Sequence, residues 1–390
     1  MQRQTDAAGR AAAGQTGAIA TALGGLIALA AAMGIGRFVY TAILPPMVEA
    51  LQLNAAVAGL IASANFLGYL VGALIAAMPV LAGPRRPWLI GALAISAIST
   101  GAMGLTQNLA LFLLLRFVGG LASAVVLIFA SAIVLERAAA AGRAGLAALY
   151  FSGVGVGIAV SAILVAALLQ AGGSWQSLWL ASGALSVAGA CVAATLLRDS
   201  GTVPRAVGGE GGQAADRRLV RLIVAYGLFG FGYVITATFL VAIVRGTPAI
   251  RAVEPVVWVV FGVAAAPSVA LWALVAARLG IPSAFALACL VEAAGVAVSV
   301  AWASKVGVFL AAILVGGTFM GLTALGLERA RELAGGDPRR VLALMTSAFG
   351  LGQIIGPTFA GATADRFGGF TQPSLAAMAA LLIAALLARR

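Results

Sequence analysis

The sequence predicts an all-α polytopic membrane protein, with about twelve transmembrane helices in two pseudo-symmetric six-helix halves. Three observations carry this. Only 9% of its 390 residues are charged and 62% are hydrophobic, whereas a soluble chain carries roughly a quarter charged residues. The charges lie between apolar runs long enough to cross a hydrocarbon core, which takes about 20 residues. The second half also repeats the first at a nearly constant offset.

Cutting at charges and at Gly/Pro punctuation places the spans near 18–44, 55–80, 88–105, 109–133, 144–169, 175–197, 219–244, 255–277, 281–303, 306–327, 340–363 and 371–388. The charge-free stretch from Ala144 to Leu197 is too long for one crossing, and Gly172-Gly173-Ser174 divides it. Arg3 and Arg10 precede an apolar run longer than that of a secretory leader, so it reads as a retained first helix. The Gly-rich, charged stretch "RDSGTVPRAVGGEGGQAADRR" reads as a flexible linker. The organisation expected is a cytoplasmic tail (1–17), an N-terminal half (18–197), a cytoplasmic linker (198–218) and a C-terminal half (219–390).

The net charge of +12 marks topology rather than a nucleic-acid partner, because the arginines sit in short gaps and not in a patch with interleaved aromatics. With the N-terminus cytoplasmic, the inner segments hold Arg85, Arg86, Arg137, Arg143, Arg198, Arg205, Arg217, Arg218, Arg221, Arg278, Arg329, Arg331, Arg339 and Arg340. The outer segments hold only Arg245, Arg251, Lys305 and Arg366. That bias predicts both termini cytoplasmic, in a multi-pass protein of a bacterial inner membrane. Histidine is absent, which excludes histidine metal sites, Ser-His-Asp triads and histidine proton relays. No cofactor or metal is expected. Cys191 and Cys289 lie in apolar runs and read as small buried hydrophobes.

The repeat brings "GIGRFVYTAIL" (from Gly34) over "GFGYVITATFL" (from Gly230), and "FVGG" at Phe117 over "LVGG" at Leu314. "SGVGVGIAVSA" at Ser152 lies over "SAFGLGQIIGP" at Ser347, and "GGSWQ" at Gly172 over "GGFTQ" at Gly368. "LERA" recurs at Leu135 and Leu327. Gly and Ala matches are cheap in this composition, but five in order are not. Two six-helix halves in parallel repeat form the architecture of a transporter whose site lies between them at the midplane.

On these residues the chain resembles the major facilitator superfamily over nearly its whole length. "GIGRFVYTAILPPM", "ASANFLGYLVGAL", "YGLFGFGYVITATFL" and "GQIIGP" are similar to its YbfB/YjiJ-type branch, and "RFVGG" at Arg116 resembles the superfamily's fourth-helix arginine motif. Two departures stand out. "LAGPRRP" after the second span lacks the acid of the usual Gly-x-x-x-Asp-Arg loop, and "GVGVGIAVSA" lacks the proline of the antiporter fifth-helix motif.

Arg37 is the sharpest functional signal. It falls inside the first span, where a cation costs on the order of 2.5–3.5 kcal/mol, and it could hold a carboxylate or phosphate bidentately. A structural arginine capping carbonyls is the alternative. Tyr233 is its repeat partner, and Tyr40 and Thr236 pair three residues on. Asn65 and Tyr69 share a face of the second span, where Gly68 and Gly72 form a small-residue seam. Gln353 stands beside Gly352 and Gly356-Pro357, where it either lines the cavity or satisfies a kinked backbone. The substrate-binding set is therefore Arg37, Tyr40, Asn65, Tyr69, Tyr233, Thr236 and Gln353.

Two residues are candidates for coupling or conformational change. Arg116 is placed there by the superfamily resemblance. Glu292 is the one acid deep in a span, with no cation of the second half at its depth; the rival reading is a hydrogen-bonded structural Glu. The expected function is secondary transport of a small organic solute, a monovalent anion by preference since no second arginine stands opposite Arg37. It would proceed by alternating access, proton-coupled or by exchange, with the chain as a monomer and the lipid bilayer, the solute and protons as its partners. A multidrug exporter would call for an acid on a cavity-facing helix, yet Glu49 and Glu254 lie at outer ends. A membrane enzyme would need clustered acids or a nucleophile constellation, and a sensor an appended soluble domain.

Overall fold

The computed structural model describes residues 17–76, 83–143, 145–197, 202–203, 217–334 and 338–389. All but the last residue of the expected tail and most of the linker lie outside them; Gly17 opens the first span, and Arg217 and Arg218 open the seventh. The first six crossings are α1 (Gly17–Leu51), α2 (Ala55–Ala76), α3 (Arg85–Leu105), α4 (Leu109–Ala140), α5 (Gly145–Gln170) and α6 (Trp175–Leu196). The second six are α7 (Arg217–Gly246), α8 (Arg251–Ala265 and Ser268–Leu279), α9 (Ile281–Ala301), α10 (Lys305–Glu332), α11 (Pro338–Phe367) and α12 (Thr371–Arg389). The two parts of α8 meet at 45°. Pro267, at the junction, has no N–H to carry the helical ladder across. The strands β1 (Gly83–Pro84) and β2 (Thr202–Val203) form one short antiparallel pairing.

The repeat is visible in three dimensions. Gly157 of α5 lies against the Ala30 backbone of α1, and Gly352 of α11 lies against Gly227 and Phe231 of α7. A Cβ at either glycine would overlap backbone. The turns after α5 and α11 both use a left-handed glycine, Gly172 at φ 79° and Gly368 at φ 73°, a conformation that only Gly adopts without steric penalty.

Within the N-terminal half, α2 and α4 touch backbone to backbone: Gly68 on the Phe117 carbonyl, Gly72 on Leu121 and Gly120 on the Asn65 carbonyl. Without a hydrophobic drive between helices in lipid, such close approach is what holds them. Gly68→Leu is therefore expected to abolish folding, read as loss of monodisperse protein after detergent extraction. Recovery of normal yield and melting would contradict this packing. The halves meet by the same device, Gly59 on Pro357 and Gly361 on Ala55 between α2 and α11, and Gly155 on Gly262 and Ala266 between α5 and α8.

Candidate functional site

The site begins with a fault in α1. Residues Ala30–Ile35 form a π-helical segment, in which Gly36 N–H bonds Ala31 O and Phe38 N–H bonds Met33 O. The α-helix restarts at Val39, and Thr41 N–H turns back to Phe38 O. The Arg37 carbonyl thereby loses the donor four residues on that a regular helix would supply. Arg116 of α4 fills the gap. Its Nη1 donates to Gly36 O and its Nη2 to Arg37 O, both at 3.1 Å, and its guanidinium lies 4.9 Å from the Tyr40 ring centre. Asn65 of α2 donates to Arg116 O at 2.9 Å. A π segment of this kind commonly marks a functional position, and here it sets the direction of Arg37.

Arg37 leaves α1 toward the second half and is 3% exposed. Its Nη2 donates to Gln353 Oε1 of α11 at 2.9 Å, and Gln353 Nε2 donates to the Tyr233 hydroxyl of α7. The repeat partners Arg37 and Tyr233 are thus joined through one amide. The Arg37 guanidinium lies 4.5 Å from the Phe66 ring centre and 4.3 Å from that of Tyr69. Its Nε is buried with no hydrogen-bond partner. Nε and Nη2 form the side-on edge of a guanidinium, the edge that takes a carboxylate bidentately. In this state a neutral acceptor occupies half of it.

Of the candidate residues, Arg37, Tyr69, Tyr233 and Gln353 come together. Asn65 and Arg116 stand behind them as supports of α1. Tyr40 does not join, since its hydroxyl donates to Ala58 O at 2.8 Å and its ring sits beside Arg116 and Trp179 inside the N-terminal half. Thr236 is fully buried with its hydroxyl unpartnered. Glu292 is fully buried on α9, with neither carboxyl oxygen hydrogen-bonded and the Thr318 side chain of α10 beside it. Cys289 is buried as expected, but Cys191 is exposed on α6; both are free. Sequence reasoning missed Phe66, Phe319 and Phe349. Phe66, three residues before Tyr69 on α2, was the available signal.

Two contacts between α1 and α7 join residues separated by the repeat length. Thr41 Oγ1 donates to Ala237 O at 2.7 Å, and Arg245 Nη1 donates to Glu49 Oε2 at 3.1 Å, each pair 196 apart. Arg245 also holds Glu254 through Nε, at 2.9 Å to both oxygens. Asp365 of α11 accepts from the N–H groups of Ala55 and Ala56 at the start of α2, at 2.9 and 2.8 Å. These contacts bridge the halves on the face opposite Gly17 and Arg389. On that face a cavity of about 420 Å³ opens between α1, α5, α7 and α8, bordered by Ala42, Val165, Val241, Arg245 and Trp258. Below it, Trp258 stacks on Phe261 (centroids 4.3 Å apart), Phe261 meets Phe319 (5.6 Å), and Phe319 meets Phe38 (5.8 Å).

A duplicated helical bundle closed around a buried, half-used guanidinium is a transporter scaffold, and the comparisons agree. The family model described as "Uncharacterised MFS-type transporter YbfB" matches residues 29–389, and the chain belongs to that family: it is a multi-pass transporter of the major facilitator superfamily. Among solved structures it is similar to a bacterial homologue of the human lysosomal transporter Spinster in an inward-facing, unoccupied conformation. The TM-score is 0.70 at 17% identity, covering 96% of each chain. It is also similar to the nucleoside transporter NupG, with a TM-score of 0.68 at 15% identity over 95% of this chain and 97% of that one. A point mutant of NupG gives 0.70 at 16%, over 94% and 98%. Likeness at such identity shows the fold. No curated protein matches the sequence.

Proposed function

We propose that the protein carries a monovalent organic anion across a bacterial inner membrane by alternating access, coupled to protons or by exchange. The observation that carries this is the Arg37 edge: a guanidinium buried between the halves, its Nε unpartnered and its Nη2 met by a neutral amide, with the neutral Tyr69 side chain beside it. A carboxylate there gains two charge-assisted bonds. A dianion would call for a second guanidinium, but Arg116 is committed to the Gly36 and Arg37 carbonyls. The arginine bias of the loops supports cytoplasmic termini. On that orientation the Glu49–Arg245 bridge joins the halves on the periplasmic side.

Thermal melting of purified protein with organic acids, sugars and cationic drugs tests the proposal. A monocarboxylate at about a hundred times its Kd adds about 2.7 kcal/mol of stability, and it should raise the wild-type midpoint while leaving Arg37→Gln unmoved. Equal stabilisation of both proteins would remove Arg37 from the site.

Glu292 is the proton carrier this reading offers, because a buried, unpartnered carboxyl can accept or release a proton without breaking an ion pair. The side chain beside it is that of Thr318 on α10. Glu292→Gln should abolish uptake driven by a pH gradient while sparing substrate counterflow in proteoliposomes. Unchanged pH-driven uptake would exclude Glu292 from coupling.

A further inference from the structure

The rings around Arg37 narrow the cargo further, on the reading that this edge binds an anion. Aromatic residues are 7% of the chain, yet rings from both halves converge on this single layer. The N-terminal half contributes Phe38, Phe66 and Tyr69, all three against the guanidinium itself, at 5.5, 4.5 and 4.3 Å. The C-terminal half contributes Tyr233, with Phe319 and Phe349 each nearly parallel to it at interplanar angles of 10° and 5° and centroid distances of 5.6 and 5.8 Å. The halves touch within this layer through an edge-to-face contact of Phe38 with Phe319, 5.8 Å between centroids at 69°.

Alternating access requires this layer to part, and parting forfeits the ring–ring contact between the halves. An aliphatic cargo would be served equally well by the Val, Leu and Ala that the rest of the bundle supplies. A flat ring restores what is lost, since aromatic pairs gain from quadrupole geometry beyond the area they bury. We infer that the cargo is an aromatic monocarboxylate. Its carboxylate takes Nε and Nη2 of Arg37 in place of the Gln353 carbonyl, and its ring enters between Phe38 and Phe319.

Benzoate and cyclohexanecarboxylate test this, because they match in charge and nearly in size while only one is aromatic. Binding to detergent-solubilised full-length protein should favour benzoate by about tenfold. Phe319→Leu should bring the two acids to within about twofold of each other while both still depend on Arg37. Phe38→Leu provides the same reading if Phe319→Leu is not monodisperse. Equal wild-type affinity for the two acids, each lost in Arg37→Gln, overturns the aromatic assignment and leaves the anion site standing. Binding of neither acid, or binding that Arg37→Gln does not weaken, overturns both.

Discussion

Gln353→Glu is expected to close the site against its own cargo, weakening binding of an organic acid by about a hundredfold or more while raising the melting midpoint. The side chain is nearly isosteric with the amide it replaces, so one oxygen can stay on Arg37 Nη2, now 2.9 Å from Gln353 Oε1. The Tyr233 hydroxyl, which accepts from Gln353, would become the donor. A charge-assisted bond is roughly twice as strong as a neutral one. A tethered carboxylate also competes at an effective concentration of roughly millimolar or above. Burying an ion pair is often neutral or worse, because both partners lose water. Here Arg37 is already 3% exposed, so its share of that penalty is present in the wild type too, and only the carboxylate adds a new one. Melting with and without acid, together with a direct binding isotherm, reads both effects. A variant that binds the acid as tightly as wild type would mean that Gln353 does not occupy the anion's place.

Arg116→Leu should cost on the order of 3 kcal/mol of stability and most of the acid affinity as well. Two carbonyls, Gly36 O and Arg37 O, would be left without the donors that meet them at 3.1 Å, and each bare buried acceptor costs about 1–3 kcal/mol. The contact with the Tyr40 ring would go too. Because one of these carbonyls belongs to Arg37, the damage reaches the direction in which that side chain points. Arg116→Lys keeps the charge but offers one compact donor group where a planar fork met two acceptors, so it should fall between wild type and Arg116→Leu. Thermal melting and acid binding on the three proteins decide this. Wild-type melting in Arg116→Leu would show that the α1 carbonyls find donors elsewhere.

The scaffold was legible in the sequence because its causes are one-dimensional. Apolar runs, clustered arginines and turn glycines mark where each span begins and ends, and the repeat register returned as the Thr41–Ala237 and Glu49–Arg245 contacts. Arg37, Tyr69, Tyr233 and Gln353 were legible because polar groups in an apolar helix stand out. Phe319 and Phe349 were not, since a ring on a membrane helix looks the same whether it faces a site or a core. Tyr40 was placed with Arg37 on the assumption of an unbroken helix across positions 37 to 40. The π segment and the restart at Val39 shift that phase, and the ring turns into its own half instead. Such a fault leaves no mark in hydropathy, because Ala, Met, Gly and Ile serve a π turn and an α turn alike.

The Glu49–Arg245 bridge, 3.1 Å long between positions that correspond in the two repeats, bears on ancestry. Had the halves begun as two identical chains joined about a twofold axis, each residue near that axis would have faced its own copy. Glutamate would then have met glutamate, or arginine arginine, and like charges would have pushed the pair apart. The bridge can only postdate divergence of the two copies, when each side became free to change alone. Thr41 on Ala237 records the same loss of identity without a charge. These two contacts therefore date from a lineage in which the two copies had already ceased to be identical.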